Sequence, residues 1–406
     1  MFYGLADKLS RIHRTFAAML TSTGNKTFVP ARLNRIAVSV FFFIAGLTFA
    51  SWASRIPNIK LKLGLSEAAL GSVLFALPAG LMVSLPISGY LVTRFGSRRV
   101  VTMAALLYPM VLILLGVAAS AWQMAAILFL FGLLGNLFNI SVNTQAVGVE
   151  LTYGRSIMAS FHGLWSLAGF GGAATGALMV FLQVPPAYHF CIIFSCAALL
   201  VLVFRQYAPN KDTGSAKQQK LFTKPDATIL KLGIIAFGCM VSEGAMFDWS
   251  GIYFQKVLQV PPNLVSFGFG AFMSTMAGGR FAGDTLITKF GVKRMLQVSG
   301  IFIAGGLLTA AIFPYFYSCM VGFMLVGFGV SSVVPMVYSL AGKSTTVPPG
   351  VAIASVSSIG FLGFFIGPPL IGFVAQALNL RASFALVAVL GFGTTIMASF
   401  VNNKQG

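Results

Sequence analysis

The stretch Gly89-Tyr90-Leu91-Val92-Thr93-Arg94-Phe95-Gly96-Ser97-Arg98-Arg99 returns 195 residues later as Asp284-Thr285-Leu286-Ile287-Thr288-Lys289-Phe290-Gly291-Val292-Lys293-Arg294. Each copy ends one long apolar segment and precedes another. A short basic turn at the same point of two halves indicates a membrane protein that arose by duplication. We therefore expect two related helical bundles that cross a bilayer.

The composition is that of a membrane protein. Of the 406 residues, 57% are hydrophobic and only 9% are charged, and the mean hydropathy is +0.88. A soluble domain carries about a quarter of its residues as charged side chains. The 27 Lys and Arg residues against 8 Asp and Glu lie almost entirely between apolar runs. This placement favours orientation in the membrane and attraction to anionic lipid, and it argues against nucleic-acid binding.

Twelve apolar runs are long enough to cross the hydrocarbon layer, which takes roughly 20 residues. They lie near residues 34–54, 67–92, 100–119, 122–147, 157–182, 187–205, 229–254, 264–287, 295–313, 315–339, 350–376 and 381–401. The predicted fold is all-α, with twelve transmembrane helices in two pseudo-symmetric six-helix bundles, 34–205 and 229–401. Residues 206–228 form a polar linker and 402–406 a tail. Apolar residues at helical spacing in 1–33 predict a short interfacial helix, with a disordered leader as the alternative.

The distribution of basic residues predicts the orientation. Twelve spans place both termini, the linker and most of the basic residues on one side. The other side receives Arg55, Lys60, Lys62, Lys256 and Arg381. The positive-inside rule therefore predicts cytoplasmic termini and a cytoplasmic linker for a protein of an inner (plasma) membrane.

The sequence shows no motif for a cofactor. The four cysteines fall inside apolar runs, without a Cys-x-x-Cys pair or a histidine at ligand spacing. Glycine-rich stretches such as 169–172 lie within membrane-length runs, where glycine allows close helix packing. We expect no metal, no cofactor and no enzymatic activity.

Ionisable groups within a bilayer are costly, so each requires a reason. Glu243 lies near the middle of the seventh predicted span, and a carboxyl group at that depth suits the loading and release of a proton. A purely structural hydrogen bond is the alternative. His162, at the start of the fifth span, is a second proton-coupling candidate, or else a helix-fastening residue.

Several polar and aromatic residues are candidates for substrate binding. Asn136, Asn139 and Asn143 are spaced three and four residues apart, which aligns them on one helix face. Hydrogen bonding to a polar solute and fastening of two helices are equally good explanations. Five residues after Glu243, Asp248 is about 140° around the helix, so we expect the two carboxyl groups on different faces. The remaining candidates are Trp52, Trp165 and Trp249. For Trp52 and Trp249, an aromatic belt at the interface is the alternative.

Two ion pairs are candidates for gating. Arg280 and Asp284 lie one helical turn apart in the eighth span, and we expect them to neutralise each other. Glu150 and Arg155 follow the fourth span, where an ion pair could form and break, or remain a solvated loop pair.

The duplicated turn resembles the loop of the major facilitator superfamily, whose pattern is Gly-x-x-x-Asp-Arg-x-Gly-Arg-Arg. The first copy matches at Gly89, Arg94, Gly96, Arg98 and Arg99, once the extra Ser97 is allowed. Both copies lack the acid, which is replaced by threonine at positions 93 and 288. The resemblance implies a gating role for the basic residues, which are Arg94, Arg98, Arg99, Lys289, Lys293 and Arg294.

Residues 50–57, 161–166, 243–250 and 367–372 resemble the bacterial YbjJ-like branch of that superfamily, which is similar at a distance to fucose–proton symporters. This resemblance implies a secondary active transporter, with a solute bound between the bundles at mid-membrane. We expect proton-coupled movement of a small polar organic solute, for example a sugar, by alternating access in a monomer. The partners are then the solute, protons and membrane lipid.

Two other functions stay open. Proton-driven efflux of many drugs would require a wide aromatic cavity, although the proline of the exporters' fifth-helix pattern is missing near Gly172 and Gly176. A membrane sensor or scaffold that does not transport would require a signalling domain, for which the linker is too short.

Overall fold

The computed structural model describes residues 31–154, 157–209, 227–344 and 349–400. Within these ranges the chain is helical and contains no β-strand. The predicted N-terminal segment, most of the linker, the tail and Arg155 lie outside the described residues. We call residues 31–209 the N-terminal half and residues 227–400 the C-terminal half.

The N-terminal half contains eight α-helices. They are α1 (Ala31–Ala53), α2 (Ile56–Leu63), α3 (Glu67–Leu74), α4 (Ala76–Phe95), α5 (Ser97–Val117), α6 (Ala121–Tyr153), α7 (Met158–Phe181) and α8 (Pro186–Phe204). The C-terminal half contains α9 (Ala227–Lys256), α10 (Phe267–Phe290), α11 (Val292–Ile312), α12 (Phe316–Val330), α13 (Val333–Gly342), α14 (Pro349–Ala377) and α15 (Leu380–Ser399).

The helices confirm the predicted membrane fold. Eleven segments of the described ranges are long and apolar enough to cross a membrane, and three of them join two short helices: α1 with α2, α3 with α4, and α12 with α13. The twelfth segment, α10, has 24 residues, but it carries Arg280, Asp284 and Lys289. Of these three residues, Arg280 belongs to the cavity described below, whereas Asp284 and Lys289 are exposed.

The two copies of the basic turn have the same backbone geometry. Gly96 has φ 81° and ψ 144°, and Gly291 has φ 79° and ψ 153°. Each glycine N–H donates to the carbonyl four residues earlier, at 2.9 and 2.8 Å. Only glycine adopts this combination of dihedral angles without strain. The repeat seen in the sequence is therefore also a repeat of local structure.

The N-terminal and C-terminal halves contact each other mainly through two helix pairs, α7 with α10 and α3 with α14. Both pairs need small residues. A Cβ atom on Gly71 would lie 2.7 Å from the carbonyl oxygen of Pro368, and one on Gly163 would lie 2.5 Å from the ring of Phe281. Glycine thus allows the backbones of the two halves to approach closely.

We call the side of the molecule where α8 ends and α9 begins the linker side, and the opposite side the far side. On the far side, Glu67 of α3 pairs with Lys60 (3.2 Å) and, across the halves, with Lys256 at the end of α9 (3.5 Å). Ser266 of the C-terminal half also donates to the carbonyl oxygen of Ser54, at 3.4 Å. These contacts hold the two halves together on the far side.

Candidate functional site: the central cavity

A cavity of about 290 Å³ lies between the two halves. This volume is close to the lower end of the range found for small-molecule sites. Helices from both halves supply its walls, which include the side chains of Phe42, Phe49, Tyr108, Phe131, Asn136, Asn139, His162, Trp165, Glu243, Phe247, Asp248, Arg280, Phe361 and Phe364. The cavity therefore combines an aromatic lining with a few charged and amide groups.

Arg280 is the polar centre of the cavity. Its guanidinium Nη2 lies 3.6 Å from Oε1 of Glu243, which comes from α9 of the same half. Its Nη1 donates to Oγ of Ser166 at 2.7 Å and to the carbonyl oxygen of His162 at 3.4 Å. Both acceptors belong to α7 of the other half. One side chain thus joins the carboxylate of one bundle to the wall of the other.

Aromatic rings surround this cation. The guanidinium carbon of Arg280 lies 5.4 Å from the centre of the Trp165 ring, within cation–π distance. The ring of His162 packs edge-on against Phe42, with centroids 5.2 Å apart. His162, Trp165, Glu243 and Arg280, which were singled out in the sequence for separate reasons, therefore meet in one place.

Asp248 also lines the cavity, although a separation of five residues predicted a different face from Glu243. Glu243 and Asp248 therefore both line the cavity, although they project at different angles from α9. A different angle on the helix did not exclude a shared cavity. The carboxylate of Asp248 has no ion pair or hydrogen-bond partner among the described residues. Asp248 is therefore available to a bound molecule.

The predicted asparagine row is only partly on the cavity wall. Asn136 and Asn139 line it, whereas Asn143 does not and donates instead to the carbonyl oxygen of Asn139 at 2.8 Å. Asn136 is 6% exposed and its Nδ2 has no protein partner. An unsatisfied buried amide is costly. A polar group of a bound molecule could satisfy it.

Phe247 lines the cavity one helical turn after Glu243, in the direction of the far side, and contacts rings of both halves. Its ring contacts Phe49 (4.9 Å between centroids) and Trp165 (6.1 Å) in the N-terminal half, and Phe272 (5.6 Å) and Phe364 (6.4 Å) in the C-terminal half. We call these five residues the aromatic cluster. The aromatic cluster therefore connects the two halves at the wall of the cavity.

The sequence pattern of the Major Facilitator Superfamily matches residues 36–349 and 285–405, which together cover most of the chain. The chain belongs to the Major Facilitator Superfamily. Members of this family are membrane transporters and not enzymes, so the chain is not an enzyme.

Two relatives support this membership, and one solved structure shows the same fold. The chain is 32% identical over 376 residues to an uncharacterised MFS-type transporter of Yersinia pestis, which covers 92% of this chain and 97% of the relative. It is 32% identical over 362 residues to the membrane protein MosC of Rhizobium meliloti, covering 88% of each chain. The fold resembles a bacterial homologue of the human lysosomal transporter Spinster in an inward-facing and occupied conformation. The TM-score is 0.71, with 14% identity over 94% of this chain and 99% of that one.

Two of the tryptophans predicted to bind substrate do not reach the cavity. Trp52 and Trp249 are 1% and 0% exposed, and neither lines the cavity. Both belong to the buried hydrophobic core, and neither indole N–H has a protein partner. The interface belt that we considered as the alternative also fails for them, because both side chains are buried.

The expected ion pair between Arg280 and Asp284 is not present. Arg280 pairs with Glu243, whereas the side chain of Asp284 is exposed and only its backbone carbonyl is used, by Thr288 at 2.8 Å. One helical turn brings two Cβ atoms near each other, but the long arginine side chain extends into the cavity instead. A contact between helices therefore replaces the predicted contact within one helix.

The candidate gating residues of the N-terminal half lie on the linker side. Arg94 donates to the hydroxyl of Tyr90 at 2.6 Å, and Arg98 donates to the carbonyl oxygens of Arg205 and Gln206 at 3.2 and 3.0 Å. Arg99 is exposed. Arg98 thus ties the basic turn to the end of α8, where free carbonyl groups attract a cation.

Other candidate gating residues make local contacts. Glu150 accepts from the backbone N–H groups of Ile157 and Met158, at 2.8 and 2.9 Å, and so caps the start of α7. Lys289 lies 5.4 Å from the centre of the Phe290 ring. Lys293 is half-buried and Arg294 is exposed. These three basic residues lie on the linker side of the C-terminal half, and none of them lines the cavity.

Sequence reasoning missed three functional candidates. Ser166 was not a candidate, yet it makes the shortest polar contact of Arg280. Glu67 was not singled out, although it is an acid at the start of the second predicted span, on a side with few bases. The aromatic cluster gave no signal because Phe accounts for 39 residues of the chain.

Proposed function

We propose that the chain is a proton-coupled secondary transporter that binds a small polar organic solute in the central cavity. The observation that carries this proposal is the ion pair between Glu243 and Arg280 at the cavity wall. A carboxylate that faces a solute cavity at mid-membrane depth has few structural reasons to be there. Its cationic partner also contacts the opposite half, which links the charge of Glu243 to the arrangement of the halves.

Proton binding would act on this link. When Glu243 is protonated, it loses the charge that holds Arg280 towards α9. Arg280 then keeps only neutral acceptors, namely the Ser166 hydroxyl and the His162 carbonyl, both on α7. The balance of contacts between α7 and α10 would change, and so would the preference of the two halves for one relative orientation. His162 lies within this contact and is the candidate for proton exchange with the cavity.

The cavity lining favours a solute that carries hydroxyl or amine groups on a compact frame. Asn136, Asn139 and Asp248 offer hydrogen-bonding groups that the protein itself leaves free or partly free. Trp165 and the phenylalanines offer flat apolar surfaces of the kind that stack on a sugar ring. We therefore propose a sugar-like solute, in agreement with the resemblance to the fucose–proton symporters and the YbjJ-like branch.

Alternating access would follow from the way the halves are joined. The pairing of Glu67 with Lys256 lies on the far side, and Phe247 of the aromatic cluster lies one helical turn from Glu243 in that direction. We propose that the structure is closed on the far side and that the solute exchanges with the linker side. By the distribution of basic residues, the linker side would face the bacterial cytoplasm.

A two-step experiment tests this function. Purified protein is first screened for thermal stabilisation by neutral sugars, amino sugars, polyols and nucleosides. The best stabiliser is then used in proteoliposomes, with accumulation measured under an imposed pH gradient and exchange measured without one. We expect Glu243→Gln to abolish accumulation while it retains exchange, since exchange requires no net proton movement.

The matched control is Asp284→Asn, which removes one acid from an exposed position on α10. It should retain both accumulation and exchange. Accumulation by Glu243→Gln with an unchanged dependence on pH would refute the proposed proton site.

Efflux of amphipathic drugs is the second candidate, because many of the cavity-lining residues are aromatic. The modest volume of the cavity argues against broad specificity. The same screen separates the two functions: stabilisation by several unrelated apolar cations, and not by any polar solute, would favour efflux. No response to any small molecule would favour a sensor or scaffold.

A further inference from the structure

A second concave surface lies on the outside of the N-terminal half, away from the central cavity. It is a groove of about 530 Å³ on the linker side, formed by the first part of α1, the end of α6 and one residue of α7. We call it the arginine groove. Its polar end is formed by Arg32 and Arg35, and its apolar part by side chains that include Phe43 and Leu164.

The two arginines carry positive charge that the described protein does not neutralise. Arg32 is exposed, and neither arginine forms an ion pair with a carboxylate of the described residues. The guanidinium carbon of Arg35 lies 5.4 Å from the centre of the Tyr153 ring. Stacking on an aromatic face leaves the N–H groups at the edge of a guanidinium free for a planar, bidentate contact with an anion.

The groove changes from charged to apolar along α1. The charged end is at the start of the helix, and Ile36, Ser39, Val40 and Phe43 follow on the same face at spacings of three and four residues. From Arg32 to Phe43 the helix rises about 16 Å, at about 1.5 Å per residue. This is about half of the roughly 30 Å hydrocarbon layer, which is the thickness of one leaflet.

A bound molecule must therefore be anionic at one end and apolar over the length of a leaflet. We propose that the arginine groove binds an anionic phospholipid, whose headgroup phosphate contacts Arg32 and Arg35 while one acyl chain lies against Val40, Phe43 and Leu164. The placement of two bases at the end of a membrane helix matches the depth of lipid phosphates.

The position of the groove gives such a lipid access to the transport machinery. Helices α1 and α7 form the walls of the groove, and the same two helices present Phe42, His162 and Trp165 to the central cavity. Lipid and solute would then occupy opposite faces of one helix pair.

Lipid binding to the purified full-length protein in detergent tests this assignment. Dioleoylphosphatidylglycerol, which is anionic, and dioleoylphosphatidylcholine, which is zwitterionic, are titrated separately, with binding followed by native mass spectrometry and thermal stability. Arg32→Gln/Arg35→Gln is compared with Arg205→Gln/Lys231→Gln, which removes two charges from the linker side without touching the groove.

We expect Arg32→Gln/Arg35→Gln to weaken phosphatidylglycerol binding about 30-fold, which corresponds to about 2 kcal/mol or about 1 kcal/mol for each basic residue near the phosphates. Phosphatidylcholine binding should change little, and the Arg205→Gln/Lys231→Gln control should bind as the wild type does. Ser39→Phe, which fills the apolar part of the groove, should weaken phosphatidylglycerol binding with both arginines retained.

Three results would each overturn the proposal. The first is phosphatidylglycerol affinity within threefold of wild type in Arg32→Gln/Arg35→Gln. The second is an equal loss in the control, which would show general attraction to a basic surface. The third is equal stabilisation by glycerol 3-phosphate, which would indicate a site for the phosphate group without the acyl chain.

Discussion

The ion pair between Glu243 and Arg280 should be visible as energetic coupling in the stability of the protein. Their charged atoms lie 3.6 Å apart. Two unit charges 4 Å apart attract each other by about 4 kcal/mol at an effective dielectric constant of 20, before the cost of removing both from water is subtracted. Loss of one member of a buried pair costs about 3–5 kcal/mol, because the other charge is left without a partner.

The perturbation is a double-mutant cycle of Glu243→Gln, Arg280→Gln and the double variant. Arg280 would keep its contacts with Ser166 and the His162 carbonyl, so we place the cost of Glu243→Gln at the lower end, about 3 kcal/mol. The double variant should cost about 2 kcal/mol less than the sum of the single variants, within the range measured for residues in contact.

Chemical unfolding in detergent micelles near neutral pH provides the measurement. The matched control is a second cycle that pairs Arg280→Gln with Asp284→Asn, the partner expected from sequence spacing. The exposed Asp284 should give additive effects to within about 0.5 kcal/mol. The first coupling should also shrink as the pH is lowered, because a protonated carboxyl group no longer attracts the guanidinium. Additive effects for Glu243 and Arg280, or equal coupling in both cycles, would refute the assigned pair.

Three further predictions concern opening of the far side and the repeated turn. Lys256→Gln should speed labelling of a reporter cysteine in the far-side crevice up to about fivefold, since an exposed ion pair contributes up to about 1 kcal/mol. The control Lys62→Gln should leave the labelling rate unchanged, because Lys62 contacts only its own half. Phe247→Ala should speed labelling of the same cysteine. It should also lower stability by about 3–5 kcal/mol, as removal of a buried phenylalanine does. An unchanged labelling rate would show that the aromatic cluster does not seal the cavity. Gly291→Ala should lower stability by about 1–3 kcal/mol because Gly291 has a positive φ. Gly305→Ala should raise stability by about 0.5–1 kcal/mol, since Gly305 lies in a helix and an added Cβ atom meets no neighbour. Equal unfolding midpoints for the two variants would contradict this reasoning.

Which polar residues line the cavity was largely predictable, because few polar side chains are tolerated within membrane-length apolar segments. Glu243, Arg280 and His162 stood out since charged groups are rare within apolar runs. All three reached the cavity. Asparagine spacing predicted one shared face, and two of its three members lie on the cavity wall.

The pairing of those residues was not predictable in the same way. Spacing along α10 favoured Asp284 as the partner of Arg280, whereas the packing of α9 beside α10 supplied Glu243. Trp52 and Trp249 were candidates for substrate binding, but both side chains are buried in the hydrophobic core and neither lines the cavity. Helical periodicity predicts the direction in which a side chain leaves its own helix. It does not predict which residue of another helix lies in that direction.

Hydropathy, the repeated basic turn and the rarity of acids were enough to determine the class of fold, the duplication and the candidate residues. These features are local, because each segment must satisfy its own backbone hydrogen bonds in lipid whatever surrounds it. Tertiary packing decided everything that depends on distance: the link from Glu243 through Arg280 to α7, the contacts of Glu67 and Phe247 between the two halves, and the groove beside Arg32 and Arg35. Such contacts join residues that are far apart in the chain, and only their arrangement in space brings them together.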